Sequence, residues 1–398
     1  MKLNFKDRFK VLMSGHIEDF LSGNDIQNTS AKVSIDTAMK YTAVNACIRV
    51  RAETFASVPF MLYKKTADGR EIVKDDPIYD ILHFKPNEEM SPFNFKETLL
   101  TNFDTSGNSV SKKLVNKKGE LVGLYPYPHN MVKIERDKET KRLIYVIGSG
   151  TDQETLTRDE VFHVPNESFD GVIGLSPIEY TNKSIELGLS YEQFGVSFYK
   201  NGAMTSGVFE HPNALNAVSH ANLKKSLKIN YQGLRNAGVP MILEEGMKYT
   251  PMSIKPVDAE LLQSKYYQIE EICRIFRVPP HLVQDLRRST NNNIEHQSLE
   301  FVMYTMLPIF KRFEDNFNMQ ILSRKQRKEG YYVEAKIDSL LRGDSKSRAD
   351  AYSVGRQWGW LSVNDIRRLE NQKPIPNGDI YLEPLNYDEA GVEGGEED

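Results

Sequence analysis

The chain has 398 residues, of which 39% are hydrophobic and 27% carry a charge, and its formal net charge at pH 7 is −4. This length allows two or three domains or one elongated subunit of several parts, and the composition is ordinary for a folded protein. The last twelve residues hold six acidic and no basic side chains, so the rest of the chain is close to neutral. A general nucleic-acid binder would be more basic, so any DNA contact must come from local clusters.

Cysteine content and hydropathy argue against secretion, membrane insertion and disulfide bonding. Neither the apolar core of a signal peptide nor the run of about 20 apolar residues that spans a membrane is found in the sequence. Only two cysteines are present, Cys47 and Cys273, each on the apolar side of a predicted helix. We expect two buried thiols without a disulfide, in a chain made in the cytoplasm.

The first 170 residues mix helix and strand patterns. Residues 1–36 are polar and weakly periodic, and predict a weakly ordered arm. Helices are predicted at about 42–57 and at 92–103, the second capped by Ser91. Strand patterns occur at PFMLYKK, around 70–73, and in a predicted meander with one more short strand: SVSKKLV, LVGLYPY, MVKIERD, RLIYVIG and VFHVP. This region is therefore predicted to be α+β.

From Gly171 onward, two long helices bracket a compact insert. The first is predicted from Pro177 to about residue 200, with Ser176 as its cap. The second, DAELLQSKYYQIEEICRIF, has apolar residues at steps of three and four, so one face must pack against another element. Between them, residues 203–256 predict a strand, a helix and a hairpin formed by VPMILE and MKYTPMSI.

A basic loop then leads into the longest predicted helix. Pro279 and Pro280 end the preceding helix, because neither ring can donate a helical hydrogen bond. A helical pattern starts at Ile294 and continues for about thirty residues, or roughly 45 Å. Pro308 lies inside this pattern and predicts a kink, because the apolar spacing resumes beyond it. We interpret this helix as a strut.

The C-terminal part has the pattern of a strand, YYVEAKI, followed by two short helices. The second helix opens at Ser362, with Asp365 in its first turn. We expect Trp358 and Trp360, which lie between the two helices, to belong to the core of this unit. Residues 387–398 are rich in glycine and acidic residues and predict a disordered tail.

Motifs for catalysis and cofactor binding are missing from the sequence. The eight histidines are scattered, and neither an HExxH nor a CxxC motif is present. There is no phosphate-binding GxxxxGK[ST] loop and no GxSxG nucleophile elbow. We therefore expect no enzymatic activity, no metal and no cofactor.

The order of these elements and several motifs resemble the tailed-bacteriophage portal proteins. The motifs are spread over nearly the whole chain: YTAVNACIRVRAETFASVPFMLYKK, GLSPIEY, PPHLVQD, RRSTNNNIEHQSLEF and LSVNDIRRLENQKPIPNGD. The resemblance implies a mixed α+β, elongated, portal-like subunit. The parts that it implies are an arm (1–36), an α+β wing (37–170), a first stem helix (171–202), a small αβ clip (203–256), a second stem helix (257–276), a tunnel loop (277–293), a kinked spine helix with a return to the wing (294–338), a short helical crown (339–386) and an acidic tail (387–398).

The resemblance also implies a function. Portal subunits form a ring of about twelve copies at one capsid vertex, through which double-stranded DNA is packaged and ejected without sequence recognition. The implied partners are further copies of the chain, the terminase large subunit, a head-tail adaptor and the major capsid or scaffolding protein, with no membrane. The implied location is the virion, and the host cytoplasm during assembly. Two alternatives stay open: a non-ring capsid or baseplate component, and a DNA-acting phage enzyme, which would need a convergent acidic or histidine site.

Two clusters are candidate contact surfaces. Four arginines and one aspartate give the loop region a net charge of +3 within fifteen residues: Arg274, Arg277, Asp285, Arg287 and Arg288. In a ring these arginines would contact phosphates without reading bases, and His281 and Gln284 lie in the same loop. The clip candidates are Lys224, Lys225, Lys228, Glu244 and Glu245. The alternatives are an ordinary ion-paired surface for the arginines and simple amphipathicity for the lysines.

Overall fold

The computed structural model describes residues 33–67, 69–150, 152–200, 207–212, 215–230, 243, 246–251, 257–287, 291–337, 340, 345–370 and 372–382. The chain forms two compact units, one that ends at Ala335 and one that begins at Lys336. Most of the predicted arm, the tail 387–398 and the VPMILE segment except Leu243 lie outside the described residues.

The first unit opens with a mixture of helices and strands. Its elements up to residue 165 are α1 (Ile35–Lys40), α2 (Thr42–Ser57), β1 (Phe60–Thr66), β2 (Gly69–Ile72), α3 (Pro77–His83), α4 (Pro92–Ser106), β3 (Asn108–Val115), β4 (Leu121–Pro126), β5 (Val132–Arg136), β6 (Leu143–Ile147), β7 (Glu154–Thr157) and β8 (Val161–Pro165). The predicted helices α2 and α4 and the predicted strands are confirmed. The sequence pattern misses α1, α3 and β7, because each is short and offers only one or two turns or a single buried strand residue.

The rest of the first unit is mainly helical. Its elements are α5 (Pro177–Tyr180), α6 (Asn182–Lys200), β9 (Gly207–Glu210), α7 (Ala217–Asn230), β10 (Lys248–Pro251), α8 (Val257–Phe276), a 3₁₀ turn (Pro280–Val283), α9 (Asn291–Glu300), a π-helical segment (Phe301–Met306), α10 (Leu307–Gln320), α11 (Arg324–Lys328) and β11 (Tyr331–Ala335). The helix predicted from Pro177 is interrupted at Thr181, which leaves α5 as a single turn before α6.

The strands form small antiparallel sheets, and the predicted single meander is wrong. One sheet has the order β4-β3-β8, and a separate one has the order β5-β6-β7. Pro126 ends β4, and a 3₁₀ turn after Pro128 redirects the chain before β5 begins. β1 lies between β2 and β11, which brings residues about 270 positions apart into one sheet.

Helix α10 forms the centre of the core in the first unit. Its buried phenylalanines pack against rings from α2, β1, α4 and β8. The ring pairs are Phe55–Phe310, Phe55–Phe313, Phe60–Phe317, Phe103–Phe313 and Phe162–Phe317, with centroids 4.6–5.6 Å apart. Such offset and tilted pairs add to the apolar burial of the rings. The predicted apolar face of the long helix is therefore buried, and it holds the small sheets together.

The long helix continues through Pro308 without ending. Six π-helical residues precede α10, and the Leu307 amide donates to the Val302 carbonyl five residues earlier. Pro308 has no amide hydrogen to donate, so a local change of winding accommodates it. The kink predicted at Pro308 stays a prediction, and the feature described here is a π-helical segment that ends two residues before the proline.

The two bracketing helices pack against each other, as α6 and α8, and α8 also packs against α2. The insert between them contains α7 and a two-stranded sheet in which Phe209 pairs with Tyr249. The prediction had paired the 248–251 strand with VPMILE. That predicted pairing lies outside the described residues, and the described partner of β10 is β9.

The second unit contains α12 (Ser345–Gln357) and α13 (Val363–Leu369). The predicted start of α13 is confirmed, because Ser362 and Asp365 form a reciprocal capping box. Asn364 is buried and binds the backbone around residues 375–378. The expectation of a tryptophan core is wrong, because Trp358 and Trp360 are 52% and 63% exposed. In the same unit, Asn364 is 1% exposed.

Candidate functional site

The loop after α8 contains two non-glycine residues with left-handed backbone. Arg277 has φ of 53° directly after the last residue of α8, and Gln284 has φ of 66° after the 3₁₀ turn. This conformation is unfavourable for residues with a Cβ, so surrounding contacts must hold it. The Val278 amide, which donates to the Cys273 carbonyl at 2.9 Å, and the Asp285 amide, which donates to the Pro280 carbonyl at 3.0 Å, close the two turns.

Side chains of the long helix bind this loop at two residues, Arg277 and His281. Thr305 Oγ1 donates to the Arg277 carbonyl at 2.8 Å, from within the π-helical segment. His281 is 7% exposed, with Nδ1 3.0 Å from Gln297 Oε1 and Nε2 3.2 Å from Ser298 Oγ. Both imidazole nitrogens therefore have partners on α9, and contact between His281 and DNA stays a prediction.

The arginines of the predicted cluster differ in their surroundings. Arg274 forms an ion pair with Glu271 on the same helix. Arg287 binds Asp285 through two nitrogens, and its guanidinium carbon lies 3.5 Å from the centroid of the Tyr266 ring. Arg288 lies outside the described residues. The ion-paired interpretation therefore holds for Arg274 and Arg287.

Arg277 is the exception among these arginines. Its side chain is exposed, and within the described part of the chain it forms no ion pair. It lines a cavity of about 550 Å³ that also has guanidinium and carboxylate groups from the loop and the two helices in its wall: Arg274, Arg287, Glu270, Asp285 and Glu300. Positive and negative groups thus nearly balance around one arginine that is available for an external anion.

The predicted residues of the insert belong to α7 and to the segment before β10. Lys224 and Lys225 are exposed on α7. Lys228 belongs to the same helix, but its side chain is outside the described part, as are Glu244 and Glu245. The geometry shows two solvent-facing lysines and does not bring them together with the arginines.

A buried polar cluster that the sequence did not single out joins the β4-β3-β8 and β5-β6-β7 sheets to α10. Tyr145 donates its hydroxyl hydrogen to His163 Nδ1 at 3.0 Å, and His163 Nε2 lies 3.0 Å from Asn108 Oδ1. The Gln320 side chain binds both backbone groups of His163. Burial, with Arg158 nearby, lowers the pKa of His163 to about 3, so this imidazole is neutral near pH 7. The cluster fixes positions and does not switch.

A buried ion pair links α2, α4 and the end of α8. Arg51 Nη2 lies 2.8 Å from Asp104 Oδ1, and Arg51 Nη1 donates to the Phe276 carbonyl at 2.9 Å. Burial raises the pKa of Asp104 to about 6, although Arg51 opposes this. Arg51 follows Cys47 by four residues, so the apolar face of α2 contained a signal: a charge at a core position.

The described residues contain neither a metal-binding group nor a membrane-spanning helix. No group of three or more His, Cys, Asp or Glu side chains is placed to hold a metal ion there. None of the helices in the same residues combines the length and the apolarity needed to cross a bilayer.

The fold is mixed α+β, and packed helices, a loop with several arginines and a long helix follow one another in the chain. The chain belongs to the phage portal protein family, whose model matches residues 42–371. It is 29% identical to a probable portal protein of Streptomyces phage phiC31, over 89% of this chain and 80% of the relative. It is 26% identical to the portal protein of Enterobacteria phage HK97, over 90% of this chain and 84% of the relative.

Solved structures share the fold at lower sequence identity. One is from the neck of an empty gene transfer agent particle, computed with C6 symmetry, with a TM-score of 0.60 and 20% identity over 87% of this chain and 96% of the other. Another is an HK97 family phage portal protein from Corynebacterium diphtheriae, with a TM-score of 0.58 and 13% identity over 76% of this chain and 95% of the other. The family assignment therefore agrees with both sequence and fold.

Proposed function

We propose that this chain is the subunit of a ring that occupies one capsid vertex and conducts double-stranded DNA during packaging and ejection. The observation that carries the proposal is the family match over residues 42–371. Support comes from solved relatives in particle necks computed with C6 and C12 symmetry, the second of which covers 89% of this chain. A ring needs a heterologous interface, in which one face of a subunit binds a different face of the next.

An exposed apolar stripe on the long helix supports such an interface. Leu299, Met303 and Leu307 follow at steps of four, and they are 48%, 42% and 38% exposed. Residues four apart share a helix face, so the three side chains form a continuous apolar strip. We propose that a neighbouring copy covers this strip in the ring.

The parts of the subunit follow from the same proposal. The wing is 37–170, the stem helices are 171–202 and 257–276, the clip is 203–256, the tunnel loop is 277–293, the spine with its return is 294–338 and the crown is 339–386. Support for the stem comes from the packing of α6 against α8. The region between them contains a helix and a two-stranded sheet, which are the elements expected of a small αβ clip.

Within the tunnel loop, Arg277 is the best candidate for contact with DNA phosphates. Its exposure and its lack of an ion pair in the described residues support this choice over Arg274 and Arg287. Gln284 and Arg288 stay candidates. The nearly balanced charge around Arg277 favours weak, sequence-independent contact, which DNA needs if it is to slide through a ring.

The partners complete the proposal. The clip surface with Lys224, Lys225, Lys228, Glu244 and Glu245 would meet the terminase large subunit during packaging and a head-tail adaptor afterwards, through moderate interfaces that can be exchanged. The wing would contact the major capsid or scaffolding protein. The role is structural rather than enzymatic, in the virion after assembly in the host cytoplasm.

The mass of the purified protein tests the ring. Twelve copies of the 45.6 kDa chain would give particles of about 550 kDa in size-exclusion chromatography with light scattering. Met303→Glu should reduce the ring fraction by placing a charge in the proposed strip, whereas Met319→Glu changes an exposed methionine of α10 outside it. Particles no larger than dimers at every concentration and salt would contradict the proposal.

A further inference from the structure

The two cysteines of the chain meet between α2 and α8. Cys47 is 0% and Cys273 is 3% exposed, and both are free thiols. The two thiols lie close enough that each shifts the pKa of the other. They are 226 positions apart in the sequence, so only the packing of these two helices brings them together.

An independent contact fixes the register of the two helices at this point. Arg51 lies four residues after Cys47 on α2, and Phe276 lies three residues after Cys273 on α8. Arg51 Nη1 donates to the Phe276 carbonyl at 2.9 Å, and its guanidinium carbon lies 6.0 Å from the Phe276 ring centroid. Successive turns of one helix therefore face successive turns of the other, with the thiols one turn before the arginine.

The surroundings distinguish the two thiols. Cys273 forms part of the wall of the cavity of about 550 Å³ that Arg274 and Arg277 also line, whereas Cys47 is not part of that wall. The neighbouring Cys47 thiol lowers the pKa of Cys273, whereas the Cys273 thiol and burial together raise the pKa of Cys47. A small oxidant that enters the cavity therefore meets Cys273 first, and the thiolate is the reactive form.

We propose that Cys273 is an oxidation site for peroxides and that Cys47 is its resolving thiol. In the first step the Cys273 sulfur attacks one peroxide oxygen, the O–O bond breaks, and Cys273 becomes a sulfenic acid while the other oxygen leaves as water. In the second step the Cys47 sulfur attacks the Cys273 sulfur, the S–O bond breaks, and the hydroxyl leaves with the Cys47 proton as a second water molecule. The net result is one disulfide, with the peroxide reduced by two electrons.

The disulfide would join α2 to the last turns of α8, directly before the loop that begins at Arg277. It would close a loop of more than 200 residues, which limits the unfolded ensemble strongly. We expect the melting temperature of the oxidised protein to rise by roughly 5 °C or more. This inference does not rest on ring formation, because both thiols lie within one chain.

The experiment uses the full-length chain, purified with reductant and then transferred to buffer without it. After treatment with a small excess of hydrogen peroxide, we expect an intact mass lower by about 2 Da and a Cys47–Cys273 cross-linked peptide after alkylation and proteolysis. Retention of both free thiols under these conditions would overturn the proposal, and so would cross-links between different chains. These readouts need no variant.

Two alanine variants test the order of the steps. In Cys47→Ala, dimedone should trap a sulfenic acid at Cys273, because the resolving thiol is gone. In Cys273→Ala, Cys47 should stay reduced over the same time, because it lacks access to the cavity. Equal oxidation of Cys47 in the second variant would contradict the assigned roles. Thermal unfolding of both reduced variants confirms that each is folded before treatment.

Discussion

The core around α10 and the loop after α8 are held in different ways. The core consists of phenylalanine rings that are almost completely buried and contact one another on several sides. The loop 277–287 has two left-handed residues, and the long helix holds it through Thr305 and through two residues that contact His281, Gln297 and Ser298. Many apolar contacts make the core insensitive to small polar changes, whereas a single hydrogen bond can alter the loop. We therefore expect the core and the loop to respond differently to substitution.

The largest effect is expected from Phe313→Ala. This ring is 0% exposed and lies between Phe55 and Phe103, so its removal leaves a cavity in the core. We expect a loss of about 3–5 kcal/mol in the free energy of unfolding, measured by urea titration. Phe313→Leu leaves a smaller cavity and serves where the alanine variant does not fold.

The matched control for Phe313→Ala is Met319→Ala, on the same helix but 52% exposed. Its effect should be within about 0.5 kcal/mol, as is usual for surface positions. Equal losses for the two variants would show that α10 does not anchor the core.

The sequence predicted the core better than it predicted the loop. Apolar residues at steps of three and four identify the buried face of the long helix, because periodicity follows directly from helix geometry. The contacts of the loop involve Thr305, His281 and Gln297, polar residues whose partners lie 16–28 positions away. No local pattern encodes such pairings. Sheet order failed for the same reason, since β11 pairs with β1 across most of the chain.

The candidate site was predicted in outline only. The basic cluster in the sequence located the loop, but net charge does not reveal which arginines find carboxylate partners. Arg287 is neutralised by Asp285 two residues earlier, whereas Arg277 projects from a strained backbone position. The exposed tryptophans of the second unit show a related limit. Residue type alone suggested burial, whereas the fold leaves both indoles more than half exposed.

The next largest effect is expected from Asp104, a fully buried carboxyl group on α4. Its pKa is raised from 3.8 to about 6 in the folded state. The folded state therefore binds this proton more tightly than the unfolded state, so the stabilisation is complete below about pH 4 and is lost as the pH rises through about 6. Between pH 7 and pH 5, Asp104 should add about 1 kcal/mol to the free energy of unfolding.

Asp104→Asn should remove this increment, as measured by urea unfolding of wild type and variant at both pH values. The exposed Asp80→Asn is the control, and it should leave the difference between pH 7 and pH 5 unchanged. A wild-type increment that survives in Asp104→Asn would assign the pH dependence to other groups.

A comparable but local effect is expected from Thr305→Val. The valine keeps the shape of the side chain but removes the hydrogen bond to the Arg277 carbonyl, at a cost of about 1 kcal/mol. Amide hydrogen exchange should become faster in residues 277–284 and stay unchanged in α10. Thr98→Val is the control, because that hydroxyl binds only its own helix at Asn94. Unchanged exchange in the loop would show that the hydrogen bond does not hold it.

The smallest effect on stability is expected from Arg277→Ala, within about 0.5 kcal/mol, because the side chain is exposed. Its effect should appear instead in DNA binding by the assembled protein, as a weaker salt dependence of the binding constant. Arg287→Ala should change that dependence less, because Asp285 already neutralises Arg287. Equal salt dependence for wild type and Arg277→Ala would remove Arg277 from the DNA contact.

The central claim is that many copies of this chain share one axis, with the loop 277–287 on the inner side. Electron cryo-microscopy of the purified particles tests it most directly. We predict closed rings with an axial channel whose narrowest part is lined by this loop. Solitary chains, or rings with the loop on the outer rim, would contradict the account.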